Sequence, residues 1–234
     1  MRKEELLNSH NSDVLKKFGF DIKKSSQTEE SSGTKIFKTG TTTVGLTCKD
    51  AVILGTDKRA SMAYFVASKT SEKLYEIQDH LWMTTAGGVA DNQYLVDILR
   101  AETTIYQLAH DNSHIMVKSA GKLLSNILYA NKMFPFEVGL ILGGVTAEEG
   151  SVLLDIGAYG SVLPEKYCAV GSGQNFSYGV LEAKYKDNLT VDEGKEIVKK
   201  AVTSSIIRDM ASGNGIDIAV VRKEGKAERE FIPI

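Results

Sequence analysis

The order of strand-like and helix-like segments is the feature that most constrains the fold of this chain. Runs rich in β-branched and apolar residues come first, and two segments with helical periodicity follow them. The same succession of strands and then helices occurs a second time, and an apolar run at 216–222 closes it. Strands grouped apart from helices argue against a parallel sheet built from alternating strands and helices.

These patterns predict ten strands and four helices. The strands are 41–48, 51–56, 61–67, 74–77 and 81–86, then 137–145, 151–156, 161–163 and 167–170, and finally 216–222. The helices are 89–110, 116–132, 175–185 and 190–210, the last opening with a capping box of Thr190 and Glu193. The first five strands indicate one antiparallel sheet. Because each sheet has too many apolar positions to leave a face bare, we expect an α+β fold, a four-layer α-β-β-α sandwich of two antiparallel sheets flanked by helix pairs.

Residues 1–40 differ in composition from the rest of the chain. The stretch 23–33 contains no apolar residue, so it cannot bury enough surface to offset its ordering entropy, and we expect disorder there. The chain is therefore divided into a leader, 1–40, and one domain, 41–234. The leader is either a flexible tail without a role or a propeptide that covers a site or guides assembly.

Composition excludes several classes of protein. A net charge of -2 predicts no strong attraction to nucleic acid or to an anionic membrane. The sequence has no apolar run approaching the roughly 18 residues of a membrane span and no secretory signal at its start. Cys48 and Cys168 lie in apolar strand-like runs, so we expect buried thiols. A cytoplasmic location is expected.

The common catalytic and cofactor motifs are missing from the sequence. Its four histidines, His10, His80, His110 and His114, are not near a nucleophile elbow, and we expect them to be exposed to solvent. No cluster has the spacing of metal ligands, and the glycines at 171 and 173 lack the Lys-Ser/Thr of a phosphate loop. Neither a metal nor a cofactor is expected.

The boundary between leader and domain offers a nucleophile that carries its own base. If the Gly40–Thr41 bond is cut, Thr41 gains a free amine with an ordinary pKa of about 7.7–8.0. That amine can accept the proton of the hydroxyl on the same residue. Such a site needs a second group to hold the amine neutral and to favour the alkoxide, and a nearby buried lysine, itself paired with a carboxylate, would do both.

Candidates for these partners lie beside predicted strands. Asp57 follows the second strand, Lys73 precedes the fourth, and the N–H of Gly87 lies where a strand ends and a helix begins. Taken singly, Asp57 is also typical of a solvated turn and Lys73 of the protein surface. Composition and spacing alone leave both interpretations open.

Several short motifs occur along the domain in a fixed order. They are Thr-Gly-Thr-Thr-Thr-Val-Gly at 39–45, Gly-Thr-Asp-Lys-Arg-Ala-Ser at 55–61, Lys-Leu-Tyr at 73–75, Thr-Ala-Gly at 85–87, Gly-Ser-Gly at 171–173, Tyr-Gly-Val-Leu-Glu at 178–182, Thr-Val-Asp-Glu-Gly at 190–194 and Arg-Asp-Met-Ala-Ser-Gly at 208–213. In this order and spacing they resemble the β-type subunit of the proteasome core in its archaeal form, over 41 to about 222. The resemblance implies an N-terminal-nucleophile hydrolase fold and a threonine endopeptidase.

The resemblance also implies a role for each matching residue. The catalytic group would be Thr41, Asp57, Lys73, Ser172, Asp209 and Ser212, with the Gly87 N–H as oxyanion hole. Thr41 would be the nucleophile and its freed amine the general base. Lys73, oriented by Asp57, would be the electrostatic partner of the amine, and the other three side chains would hydrogen-bond it. The same attack on the Gly40–Thr41 bond would release the leader by autocleavage.

A substrate pocket follows from the same match. Its lining would be Ala60, Ser71, Tyr75, Thr85 and Val89. None of these side chains is charged, so the resemblance implies cleavage after apolar or aromatic residues.

The resemblance finally implies assembly with other proteins. Seven β subunits would form a ring, two rings would stack, α-type subunits would cap them, and an ATP-dependent unfoldase ring would deliver unfolded protein. One alternative is the related peptidase of bacterial heat-shock proteases, but the Arg-Asp-x-x-Ser-Gly segment and the long final helix favour the proteasome. Another alternative is a non-catalytic ring subunit with a structural role. The absence of Thr41, Lys73 or Asp57 would favour that alternative, but all three residues are present.

Overall fold

A computed structural model of the chain describes residues 40–223 and 225–234. Apart from Gly40, the predicted leader and its disorder lie outside the described residues. The strands are β1 (Thr42–Thr47), β2 (Ala51–Asp57), β3 (Ala60–Met62), β4 (Phe65–Ser68), β5 (Leu74–Gln78), β6 (Leu81–Gly87), β7 (Val138–Thr146), β8 (Gly150–Gly157), β9 (Val162–Pro164), β10 (Tyr167–Gly171), β11 (Ile216–Arg222) and β12 (Glu228–Ile232). The helices are α1 (Val89–Ala109), α2 (Val117–Ala130), α3 (Gln174–Lys184) and α4 (Val191–Arg208). In this part of the chain, no helix combines the length and the apolar character needed to cross a membrane.

Two five-stranded sheets form the centre of the domain. The first has the order β10-β1-β2-β11-β12 and the second the order β5-β6-β7-β8-β9, while β3 and β4 form a separate hairpin. Neighbouring strands are antiparallel in both sheets. Most adjacent strands follow one another in sequence, but the pairs β1 with β10, β2 with β11 and β6 with β7 join distant parts of the chain.

Three buried apolar clusters lie between successive layers. One joins the second sheet to α1 and α2 and contains Leu124. Another joins the first sheet to α3 and α4 and contains Ile53 and Val198. The third fills the space between the sheets, where Leu54 lies near Ile141. Because Ile53 and Leu54 point to opposite faces of β2, one strand serves two cores. The predicted α+β sandwich is confirmed, as is the capping box at the start of α4.

Three details of the strand prediction are wrong. Segment 61–67 is a hairpin, not one strand, since the chain turns at Ala63 with a φ of 54°. The first five strands do not share a sheet, because β2 already has β1 and β11 on its two sides and the chain must continue elsewhere. Strand β12 was missed since its sequence, Glu-Arg-Glu-Phe-Ile, is largely charged and exposed at a sheet edge, without an apolar alternation.

The cysteines and one histidine illustrate the effect of burial. Cys48 and Cys168 are free and buried, as expected, and burial raises the pKa of Cys48 to about 11.

The expectation that His80 is exposed is wrong: only 3% of it is accessible, and its Nε2 lies 2.9 Å from the carbonyl oxygen of Ile115. Burial lowers the pKa of His80. Its ring stacks on that of His114 at 4.1 Å between centroids, so a turn histidine here is part of the packing.

Close packing of the two sheets predicts the effect of a methyl group at Gly45. A Cβ there would lie 2.7 Å from Cδ1 of Leu153 and 3.0 Å from Cγ2 of Ile141. Gly45→Ala should therefore lower the free energy of unfolding by about 1–3 kcal/mol, measured by urea denaturation of the full chain at one protein concentration. The control is Gly179→Ala in α3, where a Cβ would have nothing within 4 Å, and it should stabilise the chain by about 0.5–1 kcal/mol. Equal stability of Gly45→Ala and the wild type would contradict the described contact.

Candidate active site

The predicted cleavage point lies at the end of the first sheet. Thr41 immediately precedes β1, which is flanked by β10 and β2, and only 4% of the residue is exposed. The N–H of Gly40 donates to Oγ of Ser61 at 3.0 Å, and the N–H of Thr41 donates to Oγ of Ser172 at 3.1 Å. The Gly40–Thr41 peptide is therefore held by two side chains, one from β3 and one from the turn after β10.

Glycines permit the close approach of backbone around Thr41. Gly171 has a φ of 110°, and a Cβ there would lie 2.1 Å from the carbonyl oxygen of Thr41. Gly87 has a φ of 105°, and its Cβ would lie 2.0 Å from the carbonyl oxygen of Glu137. A side chain at either position would be strained and would push the chain away from the site.

Asp57 ends β2 with a carboxylate that is fully enclosed by donors. Its Oδ1 accepts from the Thr42 N–H at 3.0 Å and from Lys73 Nζ at 2.7 Å. Its Oδ2 accepts from the N–H groups of Arg59 and Gly213, both at 2.9 Å. The residue is 0% exposed, so the alternative of a solvated turn acid is excluded.

Lys73 lies just before β5 and is 5% exposed, which excludes the alternative of a surface lysine. Besides Asp57, its Nζ donates to the carbonyl oxygen of Arg59. Burial lowers the pKa of Lys73, while the charge and hydrogen bond of Asp57 act in the opposite direction. Among the hydrogen bonds of residues 40–223 and 225–234, none joins Lys73 Nζ to the Thr41 hydroxyl. The ion pair that we expected is present, and in this uncleaved chain the contact to the hydroxyl is not.

Ser172, Asp209 and Ser212 converge on the same end of β1. The Ser172 hydroxyl accepts from Thr41 N and lies 2.5 Å from Oδ2 of Asp209, to which it gives its proton. Ser212 donates to the same oxygen at 2.7 Å. Asp209 is the residue directly after α4, so the end of that helix sets the position of its carboxylate.

Two contributors to this arrangement were missed in the sequence. Thr42 is 0% exposed, donates its N–H to Asp57, and its hydroxyl lies 2.7 Å from Ser212 Oγ. Since Ser212 gives its own proton to Asp209, Thr42 is the donor of that pair. Because successive side chains of a strand point to opposite faces, the side chain of Thr42 points away from that of Thr41. This alternation could have indicated a structural role for Thr42. Ser61, which binds the Gly40 N–H, had no comparable signal.

One pocket contains the whole predicted substrate site. Its walls include all five predicted residues, Ala60, Ser71, Tyr75, Thr85 and Val89, together with Thr41, Lys73 and Gly87. Gly40, Glu72 and Asn92 also line it and were not predicted. The Glu72 carboxylate is half exposed and binds Arg229 at 2.8 Å, so this charge lies at the rim and is paired.

Gly40 also borders a second depression, which we call the apolar groove. It is lined by Gly40, Ser61, Ala63, Gly87, Phe136, Glu137, Val138, Ala158, Ser172, Met210 and Ala211. The pocket and the groove share Gly40 and Gly87. The Gly40–Thr41 bond therefore lies where the two depressions meet.

A second ion-pair network adjoins the rim. The buried Oδ2 of Asp217 accepts from Lys58 at 2.8 Å and from Arg229 at 2.9 Å. Arg229, in β12, thereby links Asp217 to Glu72. Lys58 precedes the Asp57-bound Arg59 in the chain, so this network supports the loop that carries part of the site.

The assembled groups suit one kind of chemistry. A threonine hydroxyl lies in the same pocket as a buried lysine with a lowered pKa, and a serine–aspartate pair holds the Thr41 nitrogen. Within the described ranges, no group of three or more His, Cys, Asp or Glu could hold a metal ion. The arrangement fits acyl transfer to an oxygen nucleophile assisted by proton acceptors.

Comparison with known proteins gives a consistent result. A sequence model of the proteasome family, described as proteasome subunit, matches residues 37–221. The chain is 48% identical over 187 residues to the proteasome subunit beta of Methanocaldococcus fervens, covering 80% of this chain and 83% of that protein. It is 43% identical over 192 residues to the subunit of the same name in Methanococcus aeolicus, covering 82% and 88% of the two chains. For that of Methanothermobacter thermautotrophicus the identity is 42% over 185 residues, with 79% and 87% covered.

The four donors around Asp57 predict a large effect of a neutral replacement. Asp57→Asn would turn an NH2 group toward N–H donors and remove the counter-charge of Lys73. It should lower the free energy of unfolding of the uncleaved chain by about 3–5 kcal/mol in urea denaturation. The matched control is Asp187→Asn, which breaks an exposed pair with Lys166 at 2.7 Å and should leave stability unchanged. A small effect at both positions would show that Asp57 does not hold the site together.

Proposed function

The chain belongs to the proteasome family, and from that premise we propose that Thr41 is the nucleophile of a threonine endopeptidase. Membership makes the chain a protease subunit of the proteasome core that acts in protein degradation. The observation that carries the finer proposal is the position of Thr41 in one pocket with the Lys73–Asp57 ion pair and Gly87. In the proposed mechanism the freed Thr41 amine is the general base and the Gly87 N–H stabilises the oxyanion.

The hydrogen bonds of the Thr41 nitrogen support the role of the amine. In the uncleaved chain this nitrogen is an amide that donates to Ser172, which in turn donates to Asp209. After cleavage the same position would hold an amine beside Ser172, with Asp209 and Ser212 behind it. The positive charge of Lys73 disfavours protonation of the amine, and the negative charge of Asp209 favours it. The balance of the two keeps the amine able to accept a proton near neutral pH.

Leader removal would use the same groups once. The Thr41 hydroxyl adds to the carbonyl carbon of Gly40, the C–N bond breaks, and the nitrogen takes up the proton that the hydroxyl gave up. The product is an ester between Gly40 and the Thr41 side chain. Water then hydrolyses the ester, which releases residues 1–40 as a carboxylic acid and leaves Thr41 as the first residue of the mature chain.

The apolar groove and the pocket provide a path for a peptide. The residue before the cleaved bond would lie in the pocket, and neighbouring residues would extend along the groove past Ser61 and Ala211. The uncharged side chains of Ala60, Tyr75 and Val89 favour apolar or aromatic residues at that position. An extended substrate of this kind is consistent with delivery of protein in an unfolded state.

We extend the proposal to assembly. Family membership implies association with other proteasome subunits, and we propose a ring of seven β subunits stacked on a second ring. α-Type subunits would cap the rings, and an ATP-dependent unfoldase would feed them in the cytoplasm. Enclosure would confine Thr41, once cleavage has freed its amine, to an inner chamber.

Replacement of Thr41 tests the mechanism directly. Mass spectrometry of the wild-type particle should find a mature chain that starts at Thr41. Thr41→Ala should retain all 234 residues and hydrolyse peptides only at the uncatalysed background, whereas Thr41→Ser, which keeps a hydroxyl and an amine, should lose its leader and retain activity. Thr43→Val, two residues along β1, serves as control and should still be cleaved. An active wild-type particle that keeps its leader would overturn the proposal.

The contact between Gly40 and Ala211 predicts a defect in leader removal alone. A Cβ at Gly40 would lie 1.8 Å from Cβ of Ala211 and 3.1 Å from Oγ of Ser172, so Gly40→Ala must shift the bond to be cut. The rate of leader loss, followed by gel electrophoresis, should fall about tenfold or more, because small displacements of reacting groups strongly reduce rates. Adding Ala211→Gly should restore part of the rate.

Activity per cleaved subunit provides the internal control. Residue 40 is absent from the mature chain, so mature Gly40→Ala particles should hydrolyse peptides at the wild-type rate. Normal leader loss in Gly40→Ala would show that the described seating of Gly40 does not govern the reaction.

A further inference from the structure

Thr42 is a residue at which the two polar networks of the candidate site meet. Its N–H donates to Oδ1 of Asp57 at 3.0 Å, and the same oxygen accepts from Lys73. Its hydroxyl lies 2.7 Å from Oγ of Ser212, which in turn donates to Asp209. One backbone group and one side chain of the same residue thus contact both carboxylate groups of the site. The hydroxyl has no role in the reaction as described so far.

The direction of each hydrogen bond in the second network follows from the available protons. A carboxylate only accepts, so Ser212 gives its single proton to Oδ2 of Asp209 at 2.7 Å. The pair of hydroxyls then has Thr42 as its donor and the Ser212 oxygen as its acceptor. Ser172 gives a further proton to Oδ2, and the N–H of Ala211 donates to Oδ1 at 3.2 Å. Thr42 is therefore the first donor of a chain of hydrogen bonds that ends on a carboxylate.

Packing confines the Thr42 hydroxyl to this position. Thr42 and Ser212 are both 0% exposed. A Cβ on Gly173 would lie 2.1 Å from Oγ1 of Thr42 and 2.7 Å from Cβ of Ser205. Gly173 has a φ of -89°, which other residues adopt without strain, so its backbone does not require glycine. The close approach of the two side chains does require it.

We propose that Thr42 is a positioning residue that acts, through Ser212, on the proton affinity of the freed Thr41 amine. This role rests on the proposed peptidase function and deepens it. The Thr42 hydroxyl holds and polarises that of Ser212, because hydrogen bonds in a chain strengthen one another. Ser212 in turn holds the Asp209 carboxylate. The link to the amine is Ser172, which binds the Thr41 nitrogen at 3.1 Å and gives its proton to Asp209.

The charges around the amine give the direction of the effect. Lys73, paired with Asp57, disfavours protonation of the amine, whereas Asp209 favours it. Glu72 in the pocket wall acts like Asp209, but its carboxylate is half exposed and already has an arginine partner. Each hydrogen bond donated to Asp209 withdraws part of its negative charge. Without the Thr42 donor, Asp209 would attract the amine proton more strongly, and the amine would become a base only at higher pH.

The experiment follows kcat/KM of mature particles, per cleaved subunit, for a fluorogenic peptide with an aromatic residue before the reporter amide. Measured from about pH 5 to 9, the acid limb of the profile reports the essential base of the free enzyme. Thr42→Val keeps the shape of the side chain without its hydroxyl. It should move the limb up by about 0.5 pH unit, which lowers kcat/KM about threefold on the acid side. Thr42→Ser, which keeps the hydroxyl, should show no shift.

Two further variants separate this role from a structural one. Thr43→Val makes the same change at the next residue, whose hydroxyl donates to the carbonyl oxygen of Val170, and it should leave the limb in place. Ser212→Ala should move the limb in the same direction as Thr42→Val and at least as far. Adding Thr42→Val to Ser212→Ala should cause no further shift, because the hydroxyl acts through Ser212. Independent effects at the two positions would add instead.

The outcomes distinguish this role from the proposed function. If wild-type particles hydrolyse no peptide, or if their profile has no acid limb, the proposal of a peptidase with an amine base fails. If the limb is present but Thr42→Val does not move it, or if the shifts of the two variants add, the role of Thr42 is refuted and the peptidase proposal stands. Should Thr42→Val not assemble, Thr42→Ala must show the same shift.

Discussion

The carboxylate of Asp57 is the interaction on which the rest of the site depends. It binds the backbone of Thr42 and Gly213, its near neighbour Arg59, and the Lys73 ammonium, so four separate segments meet at one buried charge. Without it the N–H groups of Thr42, Arg59 and Gly213 would lose this acceptor, and a buried unpaired donor is unfavourable. The start of β1 is thereby fixed relative to the lysine, which places Thr41 before any chemistry begins.

Opposing influences act on the pKa of Lys73. Burial lowers its pKa most strongly, and Lys58 acts in the same direction, while Asp57 and Asp209 raise it. Lys58 is itself paired with Asp217, which reduces its effect on the site. A lysine in this balance can carry charge yet exchange a proton more readily than a surface lysine. In the proposed mechanism the leader would add a further control, because the Thr41 nitrogen of the uncut chain is an amide and not a base.

The sequence predicted what local pattern can encode. Strand and helix positions follow from apolar periodicity, and the sandwich follows from the need to cover both faces of each sheet. Burial of Asp57 and Lys73 was beyond composition, since each residue type is usually exposed, and only the resemblance to a known family brought them together. Thr42 and Ser61 were missed because their partners, Ser212 and Gly40, are distant in sequence. Pairing between distant strands also explains the error in the assignment of strands to sheets, whereas the error at β3–β4 is local, a turn at the non-glycine residue Ala63.

The edge strand β12 shows how a polar segment can matter to a distant site. Its Arg229 lies beyond the region that matches the family, and it bridges Asp217 and Glu72. Lys58 and Arg229 share the Asp217 carboxylate, so the two cations are balanced by the two carboxylates of Asp217 and Glu72. Glu72 gains a counter-charge at the pocket rim, which keeps a free carboxylate away from an incoming apolar side chain. The charged residues of β12 kept this strand from being predicted by apolar alternation. One of them, Arg229, supports the pocket rim through its ion pair with Glu72.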